Sequence, residues 1–220
     1  MVQSVIFDMD GTLFQTDKIL ELSLNDTFDH LRKLNEWDTE TPLHKFREIM
    51  GVPLPIVWET LLPQHSNEVK KQTDIYFLHR LVENISSGKG ALYPHVKEVF
   101  SYLKDNNYSI YIASNGLKDY LKAIVSYYQL DTWVTETFSI QQIDTLNKGD
   151  LVKSIINKYN IKEAAVVGDR LSDINAAKDN DLIAIGCNFD FAQTDEMAQA
   201  DFVIEDLIEL KSVLLDLDLQ

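Results

Sequence analysis

Four short segments carry residue types that could do chemistry together. Asp8-Met9-Asp10-Gly11-Thr12 sets two carboxylates two positions apart, ahead of a glycine that lets the chain turn sharply. Ser114-Asn115-Gly116 offers a hydroxyl and backbone amides at the start of a helical pattern, where N–H groups point outward. Lys148 opens another helical segment, and Gly168-Asp169-Arg170-Leu171-Ser172-Asp173 brings a second pair of acids behind a glycine. Carboxylates crowded into one cleft repel and raise each other's pKa unless a cation intervenes. A hard divalent ion such as Mg²⁺ answers that problem, and it commonly completes its shell with substrate phosphate and water. A metal, a lysine, an amide cradle and a carboxylate able to act as nucleophile are the parts of a phosphoryl-transfer site. Taken singly, each segment has a plainer reading as a turn, a solvated lysine or a helix cap.

The segments act together only if the fold brings them together. Short β-rich runs at Ser4–Asp8, Ser109–Ala113, Ala164–Gly168 and Leu182–Gly186 read as core strands. Phe202–Ile204 reads as a fifth, and Thr137–Ile140 as a weaker edge strand. Helical periodicity fills the intervals at Pro94–Lys104, Leu117–Tyr128 and Lys148–Tyr159. This alternation predicts an α/β fold, a three-layer Rossmann-like core on a mostly parallel sheet. Three of the chemical segments follow directly on a strand and Lys148 follows a loop. In such a sheet the strand carboxyl ends line one crevice, so Asp8, Asp10, Ser114, Asp169 and Asp173 should converge.

One stretch breaks the alternation. A direct βαβ unit needs roughly 30 residues, yet about a hundred separate the first two core strands, so on the order of 70 are surplus. They read as helices. Leu20, Leu24, Phe28 and Leu31 form one stripe, and Val69, Thr73, Tyr76 or Phe77, and Leu81 outline the longest. Thr41-Pro42 is expected to open a further helix as N-cap and first helical residue, with Gly51 closing it. The predicted organisation is a core of residues 1–15 and 88–220 with an all-helical insert at 16–87, joined through Phe14–Thr16 and Ser86–Gly90.

Composition narrows the partners. The formal charge of −15, from 20 basic and 35 acidic side chains, argues against nucleic-acid polymers and anionic membranes. It leaves room for a small phosphorylated metabolite if the site is made locally attractive. The longest apolar runs are strand-sized. No secretory signal is visible, and a cytoplasmic protein is expected. Cys187, the single cysteine, reads as a small buried residue at a strand end.

At these residues the sequence resembles the haloacid dehalogenase superfamily, in its phosphoglycolate-phosphatase-like branch with an α-helical (C1-type) cap. Phe-Asp-Met-Asp-Gly-Thr-Leu at Phe7–Leu13 is similar to the first family motif, and Ala113-Ser114-Asn115 to the second. Lys148 is similar to the third, and Gly168–Asp173 to the fourth. Leu92-Tyr93-Pro94 and Gly149-Asp150 resemble flanking pattern, and the likeness is weakest over Phe14–Gly90. The resemblance implies a Mg²⁺-dependent phosphatase acting on a small phosphate monoester through an aspartyl-phosphate. Phosphoglycolate, a sugar phosphate and a nucleotide all remain open as substrate. It implies Asp8 as nucleophile and Asp10 as general acid and base, with the Asp10 carbonyl on the metal. Ser114, the Asn115 amide and Lys148 would hold the phosphoryl oxygens. Asp8 and Asp169 would also ligate the metal, with Asp173 and Thr12 in support.

Asp10 favours phosphate chemistry, since the dehalogenases of the superfamily lack an acid there. Two alternatives stand: a phosphomutase of the β-phosphoglucomutase type, and a non-enzymatic binding protein on the same scaffold. The sugar phosphomutases of this branch typically carry an arginine just past the cap glycine, whereas Val-Pro-Leu-Pro-Ile follows Gly51 here. The intact motif set speaks against a mere binding protein. His95 stands where many relatives place glycine, and Asn188-Phe189-Asp190-Phe191 replaces a common aromatic-glycine pair. Lys45, Arg47, Trp58 and Arg80 are the candidates in the insert to face a substrate.

Overall fold

The computed structural model describes residues 2–49, 54–190 and 192–218. Six strands form one sheet: β1 (Ser4–Phe7), β2 (Ser109–Ser114), β3 (Val134–Ser139), β4 (Ala164–Gly168), β5 (Ile183–Cys187) and β6 (Phe202–Ile204). Their order is β3-β2-β1-β4-β5-β6, and every neighbouring pair is parallel. β1 is central, and all four of its residues are buried. Covered on both faces, it carries an unbroken apolar run instead of an alternating one. β3 begins earlier than the sequence suggests. Its exposed edge tolerates Thr135 and Glu136, which hide the strand from a hydrophobic pattern.

Among the described residues there are ten α-helices: α1 (Thr16–Lys33), α2 (Leu43–Glu48), α3 (Leu54–Leu61), α4 (Asn67–Ser86), α5 (Val96–Asp105), α6 (Lys118–Tyr128), α7 (Lys148–Tyr159), α8 (Leu171–Lys178), α9 (Thr194–Met197) and α10 (Leu210–Asp218). Successive strand residues point to opposite faces. Ile6, Tyr111, Ala113 and Val166 therefore share one side with Leu151, Val152 and Ile155 of α7 and Ile174 and Ala177 of α8. Phe7 points the other way, and its ring lies 5.2 Å from that of Phe100 on α5. These layers make a three-layer α/β Rossmann-like fold. Because β1 lies between β2 and β4, its carboxyl end is the switch point where a crevice must open.

The chain divides into two compact units, Met1–Gln15 with Ala91–Gln220, and Thr16–Gly90. The return boundary thus falls at Gly90, where the sequence reading set it at residue 87. Gln15 N–H donates to Ala91 O at 2.9 Å, so the outgoing and returning chains are clasped within the first unit.

The second unit is helical throughout its described residues. On α1 the buried stripe is Ile19, Ser23, Leu24, Thr27, Phe28 and Leu31, with Leu20 only half-buried. On α4 it is Thr73, Phe77, Leu81, Asn84 and Ile85, so Phe77 and not Tyr76 takes the core position. α2 starts one residue late. Leu43 N–H donates to Thr41 O at 2.8 Å, and Pro42 sits at φ −77° and ψ 56°. That is an inverse γ-turn, which keeps Pro42 outside the helix and leaves Thr41 without the expected capping role. Gly51 lies outside the described residues.

Cys187 is fully buried at the end of β5. Among the described residues no helix is long and apolar enough to cross a membrane.

Candidate active site

Asp8 continues β1 by one ladder rung, its N–H donating to Val167 O of β4 at 2.8 Å. The pairing sets Asp8 beside Gly168 and Asp169, where β4 ends. Lys148, at the first position of α7, reaches Asp8 with Nζ 2.5 Å from Oδ1. The same ammonium pairs with Asp173 Oδ1. All three side chains are buried, with Asp8 and Lys148 each 6% exposed and Asp173 2%. Carboxylate oxygens of Asp8, Asp169 and Asp173 lie within 4.8 Å of one another, from loops more than a hundred residues apart.

Local sequence explains how acids come so close. Gly11 has φ +77°, and a Cβ there would stand 2.3 Å from Asp169 Oδ2. At Gly168 a Cβ would meet Asp173 Cγ at 2.2 Å. Each glycine clears room for the carboxylate opposite, so any side chain at either position would displace it. Thr12 Oγ1 then donates to Asp169 Oδ1 at 3.0 Å. Asp173 Oδ2 accepts the Arg170 N–H at 3.1 Å, as a cap on α8.

Electrostatics follow from burial. Loss of solvent pushes the Asp8 carboxyl well above the usual range; Lys148 opposes the rise, and Asp173, Asp169 and Asp10 add to it. Burial and then the Asp173 charge lift Asp169 to about 7, against the hydrogen bond from Thr12 and the charge of Lys148. Burial alone would weaken the Lys148 ammonium, but Asp173 and Asp8 outweigh it and raise its pKa. The cluster holds more negative charge than one lysine neutralises. Its oxygen donors, close and buried, suit a hard divalent cation.

Asp10 takes a different direction. Its carboxylate accepts from Ser114 Oγ at 3.3 Å and from the hydroxyl of Tyr120. Its carboxylate is not one of the three acids whose oxygens gather within 4.8 Å, although it bonds Ser114 and its charge adds to the rise at Asp8. Ser114 is fully buried at the end of β2, and its oxygen accepts the Gly116 N–H at 2.9 Å. Asn115 is exposed beside it. Ser139 Oγ, in register on β3, donates to Gly116 O at 2.6 Å and stiffens the loop. Tyr120 was invisible to sequence reasoning, because an aromatic at helical spacing reads as core. Its ring is core, packed 6.4 Å from that of Phe14, while its hydroxyl reaches the acid.

The insert candidates have partners of their own. Arg47 forks onto Glu21, with NH2 2.7 Å from Oε2. Arg80 pairs with Asp26 at 2.8 Å, and Trp58 Nε1 donates to Asp74 at 2.7 Å. Lys45 is exposed. The plainer reading, packing and surface pairing, describes the first three.

A buried aspartate–lysine pair thus follows the central parallel strand, and a second pair of acids follows the neighbouring strand β4. Residues 5–186 match the haloacid dehalogenase-like hydrolase family, and the chain belongs to it. It is 22% identical over 221 residues to the pyrophosphatase PpaX of Listeria monocytogenes, covering 98% of this chain and 97% of that one. It is 23% identical over 221 residues to the phosphoglycolate phosphatase of Pasteurella multocida, covering 94% and 96%. Among solved structures, a predicted phosphoglycolate phosphatase from Haemophilus somnus superposes with a TM-score of 0.83 at 20% identity, covering 97% of this chain and 98% of that one. The chain is thus a hydrolase whose relatives, matched along nearly their whole length, are phosphatases.

Proposed function

We propose that this protein is a Mg²⁺-dependent phosphatase that hydrolyses a small phosphate monoester through an aspartyl-phosphate on Asp8. The observation that carries the reading is the contact of Asp8 with Lys148 inside a buried cluster that also gathers Asp169 and Asp173. Lys148 opposes the rise that burial imposes on the Asp8 carboxyl and so favours its ionised, nucleophilic form.

In the first step an Asp8 carboxylate oxygen bonds to phosphorus and the bond to the ester oxygen breaks. Asp10, as general acid, passes a proton to the departing alcohol. In the second step water attacks the phosphorus of the aspartyl-phosphate, Asp10 takes the water's proton, and Asp8 leaves as carboxylate. Phosphate is released. Ser114 Oγ, the Asn115 amide and Lys148 bind the phosphoryl oxygens as negative charge shifts onto them. Asp8, Asp169 and the Asp10 carbonyl would hold Mg²⁺, with Thr12 and Asp173 orienting the set. When bound, the ion would neutralise the acids and the phosphate oxygens together.

We read the helical unit as a cap that sets substrate range, and the protein as cytoplasmic. The cap reading is supported by the insertion of that unit between Gln15 and Ala91, close after Asp8 and Asp10 in the chain.

A panel containing phosphoglycolate, sugar phosphates, nucleoside monophosphates and pyrophosphate tests the proposal. Phosphate release from one monoester class, dependent on Mg²⁺ and abolished in Asp8→Asn, is the expected result. Release from pyrophosphate alone, or formation of a phosphate isomer instead of free phosphate, would overturn it.

A further inference from the structure

Asp10 is held by two hydroxyls, and they are not equivalent. Ser114 Oγ faces Oδ2 and Tyr120 faces Oδ1. A serine hydroxyl has one proton to give. Here that proton points at Asp10, while the same oxygen accepts the Gly116 N–H. A phosphoryl group bound at Ser114 must claim that one proton, so Ser114 then lets go of Oδ2. The phosphatase reading assigns no phosphoryl oxygen to Tyr120. Its ring is 6% exposed, lies on α6 and is packed edge-on at 74° against Phe14, which is fully buried. A buried tyrosine needs a partner for its hydroxyl, and the ring packing fixes where that hydroxyl can reach.

We infer that Tyr120 is a positioning residue for the reaction, tethering Oδ1 of Asp10 so that Oδ2, released by Ser114 when phosphate binds, is the oxygen that exchanges the proton. The inference rests on the phosphatase reading above. It divides the labour within one carboxyl group: one oxygen is anchored, and the other is turned toward the phosphoryl site. A carboxyl anchored through one oxygen keeps its swing small. Misplacement of a reacting group by about 1 Å can cost on the order of 10²-fold in rate.

The test is Tyr120→Phe, which keeps the ring and its packing. Tyr128→Phe is the control: it removes a hydroxyl from the same helix, from a ring 6.0 Å from that of Phe14. With an alkyl phosphate, Tyr120→Phe should lower kcat about 10- to 100-fold while KM holds, since the lost help is proton transfer. With 4-nitrophenyl phosphate, whose alcohol leaves without a proton, phosphorylation should stay fast. The release of nitrophenol should then become a burst followed by slow turnover. Tyr128→Phe should behave as wild type, and thermal melts should show both variants folded. Equal losses on the two substrates without a burst, a loss confined to KM, or unchanged kinetics would each overturn the tether. Wild-type protein that hydrolyses no phosphate ester would instead remove the phosphatase reading itself.

Discussion

Thr12 and Asp169, 157 positions apart, share a buried hydrogen bond of 3.0 Å that ties the loop after β1 to the loop after β4. The threonine gives its proton to Asp169 Oδ1 and so fixes the orientation of that carboxylate. Thr12→Val keeps the shape and removes the donor. Loss of such an outer partner typically lowers metal affinity about 10- to 100-fold. Mg²⁺ titrations followed by activity should show that rise in the apparent dissociation constant, with activity recovering at high Mg²⁺. A variant with wild-type Mg²⁺ dependence would show that Thr12 only shapes the loop.

Proton and metal compete for Asp169. Its carboxyl is raised from 3.8 to about 7, so the folded metal-free protein holds this proton more tightly than the unfolded chain does. The sign follows from linkage: stability from this group is full below about 4 and is lost as pH rises through about 7. Chelated protein should therefore lose thermal stability between pH 5 and pH 8. Mg²⁺ should restore more stability at pH 8 than at pH 5, with proton release on binding measurable by calorimetry. Asp169→Asn should flatten both trends.

Lys148 pairs with two buried acids at once. Lys148→Met keeps the volume and leaves Asp8 and Asp173 facing each other without a cation. Breaking a buried ion pair from one side costs about 3–5 kcal/mol. Urea unfolding at pH 7.5 in chelator should show a loss of that order, smaller at pH 5, where Asp8, whose pKa burial raises, can take up a proton. Turnover should be lost at both pH values.

The two acids of the first motif should fail differently. Asp8→Asn cannot attack phosphorus, and no phosphoenzyme should form. Asp10→Asn keeps the nucleophile but loses a proton-transfer term worth about 10² to 10⁴ in rate. Given an aryl phosphate, it should accumulate an acid-stable, base-labile acyl-phosphate on Asp8, visible by mass spectrometry of quenched protein. An adduct mapped to Ser114 would rule the mechanism out.

His95 offers a stability test away from the chemistry. It caps α5 at φ +61°, a left-handed conformation that glycine adopts freely. Its Nδ1 lies 2.7 Å from Asp206 Oδ1, and the side chain is 42% exposed, so the pair is a weak one. His95→Ala keeps the strain and loses the pair, and should cost about 1 kcal/mol. His95→Gly relieves the strain and should match or exceed wild type in denaturant unfolding.

Much of this molecule could be read from its residues because the strongest signals coincide. β1, β2 and β4 are apolar runs that stop at an acid or a serine, so strand and site announce each other. The helical insert was legible as a surplus of length between β1 and β2. The rest was hidden for physical reasons. β3 carries polar residues because it is an edge, and Pro42 was misplaced by one residue because its turn is set by a backbone contact. Asp10's turn toward Ser114 and Tyr120 depends on where α6 packs, and no local pattern contains that information. Of the four insert candidates, Arg47, Trp58 and Arg80 gain their partners only where α1, α2, α3 and α4 come together.

The site's charges are joined across great lengths of chain: Lys148 to Asp8 over 140 positions, and Thr12 to Asp169 over 157. Such distant contacts form late, since the intervening chain must first be ordered. A growing polypeptide therefore carries the reactive carboxylate of Asp8 long before the lysine and the second acid pair have been synthesised. The full set of clustered acids exists only once the chain beyond β4, through Asp173, is in place.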